Sequence, residues 1–499
     1  MIQIDREQDI ERLRQVATLL DRENLRLHQR LQKLTSEIAR LKGQDASALQ
    51  LELAELQELL AQREQRLFGR SSERRSRGEK ATPEEPIAQR GHGPTAQPSL
   101  PTLEQLQELP EEKRECSVCG GHLCEMSGQF EESEEITVIQ RQFRLVRHRR
   151  QKYRCQCNGN VTTAPGPRKL IAGGRYSPEF AVEVAVSKYL DHAPLERQVR
   201  AMERQGLQVT SQTLWDQLDA LARHLEPTYE ALGQQALAAS VLHADETRWP
   251  MLSKGSVSPW WVWCVLGNET VFYRILGSRS AKAAHSVLQG FHGVVLTDGY
   301  GAYQSLARGR PGFTLAHCWA HVRRKFVEAE LQYANRCEPA LDLIGELFAI
   351  EREVPVCNAP EPEEALALRA QLRRERSAPI VAKLQQWAEA ETVLPKSSLG
   401  KAIRYMGELW PGLVRFLKDP RVPLSNNAAE RALRGLVVGR KNHYGSKSRR
   451  GTEVAAILYT LCESAKLAGV DPHAYLLHAT HQAIDTPGTI TLPQQLAAN

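Results

Sequence analysis

The order of apolar segments between residues 238 and 326 constrains the fold more than any other feature. Three strand-like runs come first, AASVLHADETRWP, WWVWCVLG and TVFYRILG, and the last two are predicted to pair antiparallel around Gly267-Asn268. A helix from Ser280 to Gln289 follows, then the buried-looking strand GVVLTDGYGAYQ and the apolar run FTLAHCWAHVRRKF. These segments predict one sheet with helices between its later strands.

Strand, strand, strand, helix, strand, helix, strand is the order of a ribonuclease-H-like sheet, in which the first and fourth strands are neighbours. Asp245 and Asp298 each lie near the end of one of these strands, so we expect their carboxylates to face one another. Glu430 is the best candidate for a third acid, because Ser425 or Asn426 can cap its helix and place it on the second turn. Three carboxylates suit a site for two Mg²⁺ ions that catalyses phosphoryl transfer.

Each acid also has a simpler interpretation. Asp298-Gly299 is a common turn sequence. Asp245 could end a strand at the solvent, and Glu430 could pair with Arg434 at helical spacing. Two apolar strands that end in Asp, in the right order and followed by a helical Glu, favour the shared site.

The distribution of charge is more informative than its total. The 499 residues contain 65 Lys and Arg against 59 Asp and Glu, which is a net charge of only +6. Residues 137–154 and 431–452, however, each hold seven basic residues and no acid, which suits contact with a phosphate backbone. These residues are Arg141, Arg144, Arg147, Arg149, Arg150, Lys152 and Arg154, and then Arg431, Arg434, Arg440, Lys441, Lys447, Arg449 and Arg450.

Composition excludes several classes of protein. With 41% hydrophobic and 25% charged residues, the chain is predicted to form ordinary folded domains rather than a disordered chain, a fibre or a disulfide scaffold. It has no apolar run of the roughly 18 residues that a membrane span needs. Its charged start, MIQIDREQDIERLRQ, lacks the apolar core of a signal peptide, so we expect a cytoplasmic protein with reduced cysteines.

The N-terminal residues 1–69 are predicted to form a leucine-zipper coiled coil. Apolar residues fill most of two heptad columns, and Asn24 is the single polar residue in the a column, a substitution that favours a parallel dimer. A helix packed in a globular core would need a wider apolar stripe. Residues 70–110 follow as a flexible linker. The residues expected to dimerise are Leu13, Leu20, Asn24, Leu27, Leu34 and Leu41.

Residues 111–168 are predicted to form a zinc-binding module. Cys116 and Cys119 form a C-x-x-C pair, and Cys155 and Cys157 can supply the two remaining thiolates of a tetrahedral site. Cys124 is an alternative ligand. A redox C-x-x-C is less favoured, because no βαβ pattern surrounds it.

Residues 169–232 read as a helical, helix-turn-helix-like DNA-binding region. Helices are predicted to begin at Pro178 and Pro194, Gly206 marks a short turn, and Ser211 can cap a helix over Gln212–Leu221. This is the spacing of a helix pair that places its second helix in the major groove, although many helix pairs without DNA look the same.

At this point the ordered motifs resemble one known family. The chain is similar to the DDE-type transposases of the insertion-sequence-66 family over nearly its whole length. The blocks that carry the resemblance are LFGRSSE at 67–73, the four cysteines, HAPLERQ at 192–198, HADET at 243–247, TDGY at 297–300, HCWAHVRRKF at 317–326 and NNAAER at 426–431.

The resemblance implies roles and a domain plan. Asp245, Asp298 and Glu430 would hold two Mg²⁺ (or Mn²⁺) ions, water would cut a strand at each transposon end, and the freed 3′-OH would attack target DNA. His317, Cys318 and His321 are expected near the site. Cys318-x-x-His321 could bind a second zinc, but a supporting role is favoured. Arg323, Arg324 and Lys325 join the basic residues above as expected DNA contacts.

The expected architecture is a multidomain α+β and α/β protein. A ribonuclease-H-like catalytic core would occupy 233–326 and close over 423–470, with a helical insertion at 327–422 and a tail at 471–499. LDLIGELFAIE and PIVAKLQQWAEAE read as helices of that insertion. The expected partners are double-stranded DNA at transposon ends and target, a second copy of the chain and small accessory proteins of the same element. Nucleoid association is expected when the protein is bound to DNA, and no membrane is involved.

Two other functions remain open on the sequence. A non-enzymatic DNA-binding regulator would use the coiled coil, zinc module and helix pair, but would leave the three acids unexplained. A nuclease or junction resolvase on the same fold would cut DNA without joining it to a target.

Overall fold

The computed structural model describes residue 33 and residues 118–120, 142–154, 160–253, 256–309, 312–355 and 362–497. The chain divides into two compact units, one made of residues 1–73 and 143–499 and the other of residues 74–142. The helices and strands below all lie in the former. The predicted zipper positions Leu13, Leu20, Asn24, Leu27, Leu34 and Leu41, the linker, and Cys116, Cys124, Cys155 and Cys157 lie outside the described residues.

A five-stranded mixed sheet forms the centre of this unit, as the sequence predicts. Its order is β5-β4-β3-β6-β7; β3, β4 and β5 pair antiparallel, whereas β6 runs parallel to both β3 and β7. The first and fourth strands of the sheet are therefore neighbours, as expected. A separate two-stranded hairpin precedes it. The strands are β1 (Lys152–Arg154), β2 (Val161–Thr163), β3 (Val241–Ser253), β4 (Ser256–Gly267), β5 (Thr270–Leu276), β6 (Gly293–Thr297) and β7 (Phe313–His317).

Helices cover both faces of the sheet. Those of the described residues are α1 (Pro178–Tyr189), α2 (Leu195–Arg204), α3 (Ser211–Leu237), α4 (Ala281–Leu288), α5 (Gly301–Gly309), α6 (Trp319–Glu351), α7 (Glu363–Leu372), α8 (Ala378–Ala390), α9 (Ser398–Leu413), α10 (Asn427–His443), α11 (Arg449–Leu467), α12 (Pro472–Asp485) and α13 (Gln494–Ala497). A π-helical turn (Arg373–Ser377) joins α7 to α8, and a 3₁₀ turn (Arg415–Leu417) follows α9. No helix in these ranges is long and apolar enough to span a membrane.

Strand β6 shows how the two faces are divided. Successive side chains of a strand point to opposite faces. Val295 joins a hydrophobic cluster with α1, α3 and α11, whereas Val294 and Leu296 join a second cluster with α6, α8 and α9. The helices of the predicted insertion therefore pack on one face of the sheet, and the helices before and after the sheet share the other.

Several predicted boundaries are wrong, each for a local reason. Strand β3 continues to Ser253, so Asp245 is its fifth residue and not its end. The run after residue 313 becomes a helix at Trp319, because its buried residues recur at helical spacing, at Trp319, Val322 and Phe326. Asn268 and Glu269 form the β4–β5 turn, both with left-handed backbone, in place of Gly267-Asn268.

Helix starts also differ from expectation. Thr210, and not Ser211, caps α3, since its hydroxyl accepts from the Thr213 N–H at 3.2 Å. That helix continues far beyond Leu221, because buried leucines keep its apolar stripe on the core to Leu232. Helix α10 begins at Asn427, so Glu430 lies in its first turn and not its second.

Candidate active site

The sheet brings Asp245 and Asp298 to one edge. The parallel ladder between β3 and β6 ends where His243 pairs with Leu296, and Asp245 and Asp298 each lie two residues further along their chains. Neighbouring strands lie about 4.8 Å apart, so the two aspartates begin from adjacent backbone positions. Asp298 also forms the turn that its Asp-Gly sequence suggests, since its Oδ1 accepts from the Tyr300 N–H at 2.9 Å. The turn and the site are thus compatible.

Helix α9 of the insertion closes on the Asp298 turn. The Tyr405 hydroxyl donates to the Asp298 carbonyl oxygen. Gly299 has a left-handed backbone (φ 94°), and a Cβ there would lie 2.7 Å from Leu409 Cδ1. A side chain at position 299 would therefore be strained and would push α9 away from the second acid.

The electrostatics of Asp245 place the third acid in the same region. Burial raises the pKa of Asp245 from 3.8 to about 7, and the negative charges of Glu246, Asp298 and Glu430 add to the effect. The Glu246 N–H opposes this shift by donating to Asp245 Oδ1 at 2.8 Å. Three carboxyl groups, those of Glu246, Asp298 and Glu430, therefore lie within electrostatic reach of Asp245.

Glu430 is aimed at the start of helix α6. Its Oε1 lies 3.4 Å from His321 Nε2. The same oxygen is buried and accepts no hydrogen bond in the described part of the chain. The alternative pairing of Glu430 with Arg434 is not seen among the described residues, where the ionic contact of Glu430 is with His321.

The donor set fits hard divalent cations, although the side chains are not gathered around one point. Among the residues that the structure describes, no three His, Cys, Asp or Glu side chains are arranged to hold a metal. A buried Asp245 carboxyl with a raised pKa and an unsatisfied Glu430 oxygen are nevertheless groups that a cation would stabilise. Asp245, Asp298 and Glu430 supply the carboxylate oxygens that Mg²⁺ and Mn²⁺ prefer.

Asn426 connects the helix that carries Glu430 to strand β3, which carries Asp245. Its side chain is fully buried, and its Nδ2 donates to the Ala244 carbonyl oxygen at 2.8 Å. Its Oδ1 lies 3.1 Å from His243 Nδ1. Its backbone N–H donates to Cys318 Sγ at 3.1 Å. Sequence reasoning considered Asn426 only as a helix cap, and these contacts span more than 100 residues.

A second network, which sequence reasoning missed, lies beside the aspartates. Glu246 is buried and accepts from Arg279 Nε at 2.9 Å and from the Tyr303 hydroxyl at 2.9 Å. The Arg279 guanidinium lies 3.7 Å from the centroid of the Tyr300 ring and 4.6 Å from that of Trp261. The only sequence signal was the position of Glu246 directly after Asp245.

The expected supporting residues lie close to the acids. His317 is buried, its Nδ1 lies 3.4 Å from Thr297 Oγ1, and burial lowers its pKa to about 4, which keeps it neutral at physiological pH. Burial raises the pKa of the Cys318 thiol, and this thiol accepts the Asn426 N–H. His321 contacts Glu430. These contacts favour support of the site over a second zinc.

The predicted DNA-contacting residues divide by exposure. Most side chains that point to solvent are on the segment before β2 and along α10 and the loop after it. Arg440 instead donates to Thr247 Oγ1 at 3.1 Å, and Arg450 pairs with Asp219 at 2.6 Å, so both guanidiniums bind protein acceptors. Arg323, Arg324 and Lys325 are half-buried on α6. The exposed members are Arg144, Arg147, Arg149, Arg150, Lys152, Arg154, Arg431, Arg434, Lys441, Lys447 and Arg449. Cys119, of the other compact unit, is exposed.

A pH-dependent stability is expected from Asp245 when no metal is bound. Its native pKa of about 7 exceeds the ordinary 3.8, so the native state keeps a proton that the unfolded chain loses. Its contribution to stability is full below about pH 4 and is lost as pH rises to about 7. In EDTA, the Tm of Asp245→Asn minus that of the wild type should grow by a few °C between about pH 5 and about pH 8. A difference independent of pH would contradict the raised pKa.

Comparison with known proteins identifies similarity along most of the chain. The model of the family described as "Transposase IS66 family" matches residues 173–454, which contain Asp245, Asp298 and Glu430. The model described as "zinc-finger binding domain of transposase IS66" matches residues 113–158, which contain the four predicted zinc ligands.

Three relatives from Sinorhizobium fredii match over most of their own length. "Uncharacterized protein y4hP" is 30% identical over 424 residues, which cover 79% of this chain and 75% of the relative. "Uncharacterized protein y4jD" is 31% identical and covers 76% of each chain. "Uncharacterized protein y4qI" is 32% identical over 75% of this chain and 71% of the relative.

Proposed function

Because the chain belongs to the IS66 family of transposases, we propose that it cuts DNA strands at transposon ends and joins the freed 3′-OH to target DNA. The observation that carries this proposal is the convergence of Asp245, Asp298 and Glu430. Asp245 and Asp298 each lie two residues beyond the last pair of the parallel β3–β6 ladder, and the charges of Asp298 and Glu430 both act on the buried carboxyl group of Asp245. The order of the five strands supports a ribonuclease-H-like core.

The three acids are proposed to hold two Mg²⁺ or Mn²⁺ ions. When bound, such ions activate the attacking oxygen and stabilise the leaving oxygen of an in-line phosphoryl transfer. The surrounding residues fix the acids: the Tyr300 N–H holds the Asp298 carboxylate, and the Glu246 N–H holds that of Asp245. The Arg279–Glu246 pair keeps a second negative charge neutralised directly behind Asp245. Such preorganisation removes the need to orient the acids during the reaction.

Exposed basic side chains are proposed to bind the DNA backbone. Arg434 and Lys441 lie along α10, the helix that carries Glu430, and Lys447 and Arg449 lie just after it. DNA held by these residues would pass beside the third acid. The helix pair α2–α3 with its turn at Gly206 (φ 83°) is a candidate reader of the transposon end.

The N-terminal part is proposed to supply a zinc module and a coiled-coil dimer. The zinc-finger family match supports Cys116, Cys119, Cys155 and Cys157 as ligands. The leucine register supports dimerisation through residues 1–69. Accessory proteins of the same element and association with the nucleoid through DNA complete the proposal.

The proposed reaction is tested with purified full-length protein and DNA that carries both ends of the element. Cleavage is measured first, and then strand transfer from a pre-cut end with a free 3′-OH, with Mg²⁺ and again with Ca²⁺. A transposase gives both activities with Mg²⁺. Cleavage without joining would indicate a nuclease or resolvase, and binding without either activity would indicate a regulator.

Zinc content tests the module independently. We expect Cys119→Ser to lower the bound zinc by about one ion per chain, because a tetrahedral site with three ligands holds zinc weakly. Cys318→Ala is the matched control, since its thiol already accepts the Asn426 N–H. Elemental analysis of both variants measures the effect. Equal zinc in wild type and Cys119→Ser would reject this ligand, and zinc lost from Cys318→Ala would reveal a second site.

A further inference from the structure

Asn426 occupies a position where an asparagine normally serves its own helix. It is the residue directly before α10, and asparagine at that position usually accepts a hydrogen bond from an N–H of the first turn. Its side chain makes no such bond. The helix therefore lacks this stabilising side-chain cap, and the amide is directed to strand β3 instead.

The contacts of the Asn426 side chain with β3 require both an N–H donor and an oxygen acceptor, which an amide provides. Nδ2 is the donor to the Ala244 carbonyl oxygen, so Oδ1 must be the acceptor. The partner of Oδ1 is His243 Nδ1 at 3.1 Å, which must then carry the proton. An aspartate in this place would set a carboxylate oxygen against a carbonyl oxygen, and an aliphatic side chain would leave two buried groups unpaired.

The backbone of Asn426 completes a three-way junction. Its N–H donates to Cys318 Sγ just after β7, and its carbonyl oxygen accepts the Glu430 N–H at 3.3 Å. One residue therefore touches the peptide before Asp245, the chain after β7 and the turn of helix that presents Glu430. Its side chain is 0% exposed, so solvent does not compete for these bonds.

We propose that Asn426 is a positioning residue for the active site, whose buried amide ties the helix turn bearing Glu430 to the strand backbone beside Asp245. The inference rests on the proposed function and deepens it, because it names what sets the distance between the first and third acids. A shift of about 1 Å between catalytic groups can cost about 100-fold in rate.

The test compares Asn426→Asp with Asn427→Asp. The second is a matched control, because it makes the same change one residue later, at an exposed first helical position. We expect Asn426→Asp to cleave DNA about 10- to 100-fold more slowly and to need more Mg²⁺ for half-maximal rate, while Asn427→Asp behaves as the wild type. Binding of Mn²⁺ alone, measured by electron paramagnetic resonance without DNA, should weaken only in Asn426→Asp.

The possible outcomes distinguish the positioning role of Asn426 from the proposed transposase activity. Wild-type Mn²⁺ binding and cleavage in Asn426→Asp would overturn the positioning role and leave the transposase proposal intact. If Asn426→Asp does not fold, Asn426→Ser is measured in the same way; collapse of its thermal transition as well would show a role in the fold only and overturn the inference. A wild-type chain without Mg²⁺-dependent cleavage would overturn the proposed function, and the inference with it.

Discussion

Asp245→Asn is expected to abolish DNA cleavage and strand transfer, with a loss of about 10³-fold or more, while the fold becomes more stable. The activity falls because a metal-binding carboxylate contributes several kcal/mol to the transition state, at about 1.4 kcal/mol per factor of ten. Stability rises because the native chain buries this carboxyl among Glu246, Asp298 and Glu430. Opposite changes in activity and Tm distinguish lost chemistry from lost structure.

Asp342→Asn is the matched control for this variant. Asp342 is exposed on α6, outside the helix pair proposed to read the transposon end, so the same substitution there should change neither rate nor Tm. Cleavage of labelled transposon-end DNA with Mg²⁺ and thermal unfolding in EDTA give the two readouts. Metal-dependent cleavage by Asp245→Asn at the wild-type rate would reject Asp245 as a catalytic acid.

Arg373→Met is expected to destabilise the helical insertion by about 3–5 kcal/mol. The Arg373 side chain is 1% exposed, and its Nε and Nη2 donate to the two Glu351 carboxylate oxygens at 2.7 and 2.8 Å. Its Nη1 donates to the carbonyl oxygens of Phe416 and Asp419. Methionine would fill much of the volume but leave a carboxylate and two carbonyl groups without these donors.

Arg376→Met is the matched control for Arg373→Met. Arg376 makes an equally short pair with Glu353, at 2.6 Å, but both side chains are about half exposed. Exposed pairs contribute little, so this variant should unfold as the wild type does. Chemical denaturation measures the stability of each variant, and limited proteolysis within residues 327–422 then shows whether the insertion has loosened. If both variants lost the same free energy of unfolding, burial of Arg373 would not explain the contribution of its ion pair to stability.

The general arrangement of the sheet was predictable because it depends on local periodicity and element order. The adjacency of the strand that contains Asp245 and the strand that precedes Asp298, and the helices of the insertion, followed from those two signals. Boundaries failed where tertiary contacts decide them: β3 extends past Asp245 because β4 pairs with it as far as Ser253↔Ser256.

The details of the site could not be predicted, because they depend on contacts between distant residues. Nothing near Asn426 in the sequence indicates Ala244 as its partner, and Arg279 carries no pattern that would connect it to Glu246. Charge counting likewise treated Arg440 and Arg450 as available to DNA, although both bind protein acceptors. Composition gives the number of basic side chains but not whether they face solvent or bind other groups of the protein.

The division of the sheet between two hydrophobic clusters bears on synthesis of the chain. Glu430 follows Asp298 by 132 residues, and the helices that cover Val294 and Leu296 lie between them. At about 5–20 residues per second, a ribosome needs roughly 7–26 seconds to pass from the second acid to the third. During that interval the side of the sheet that packs against α6, α8 and α9 is not yet fully covered. Glu430, the last of the three acids in the sequence, has not yet been synthesised. Under the proposed mechanism, a nascent or truncated chain therefore cannot cut the DNA around it until Glu430 has been synthesised.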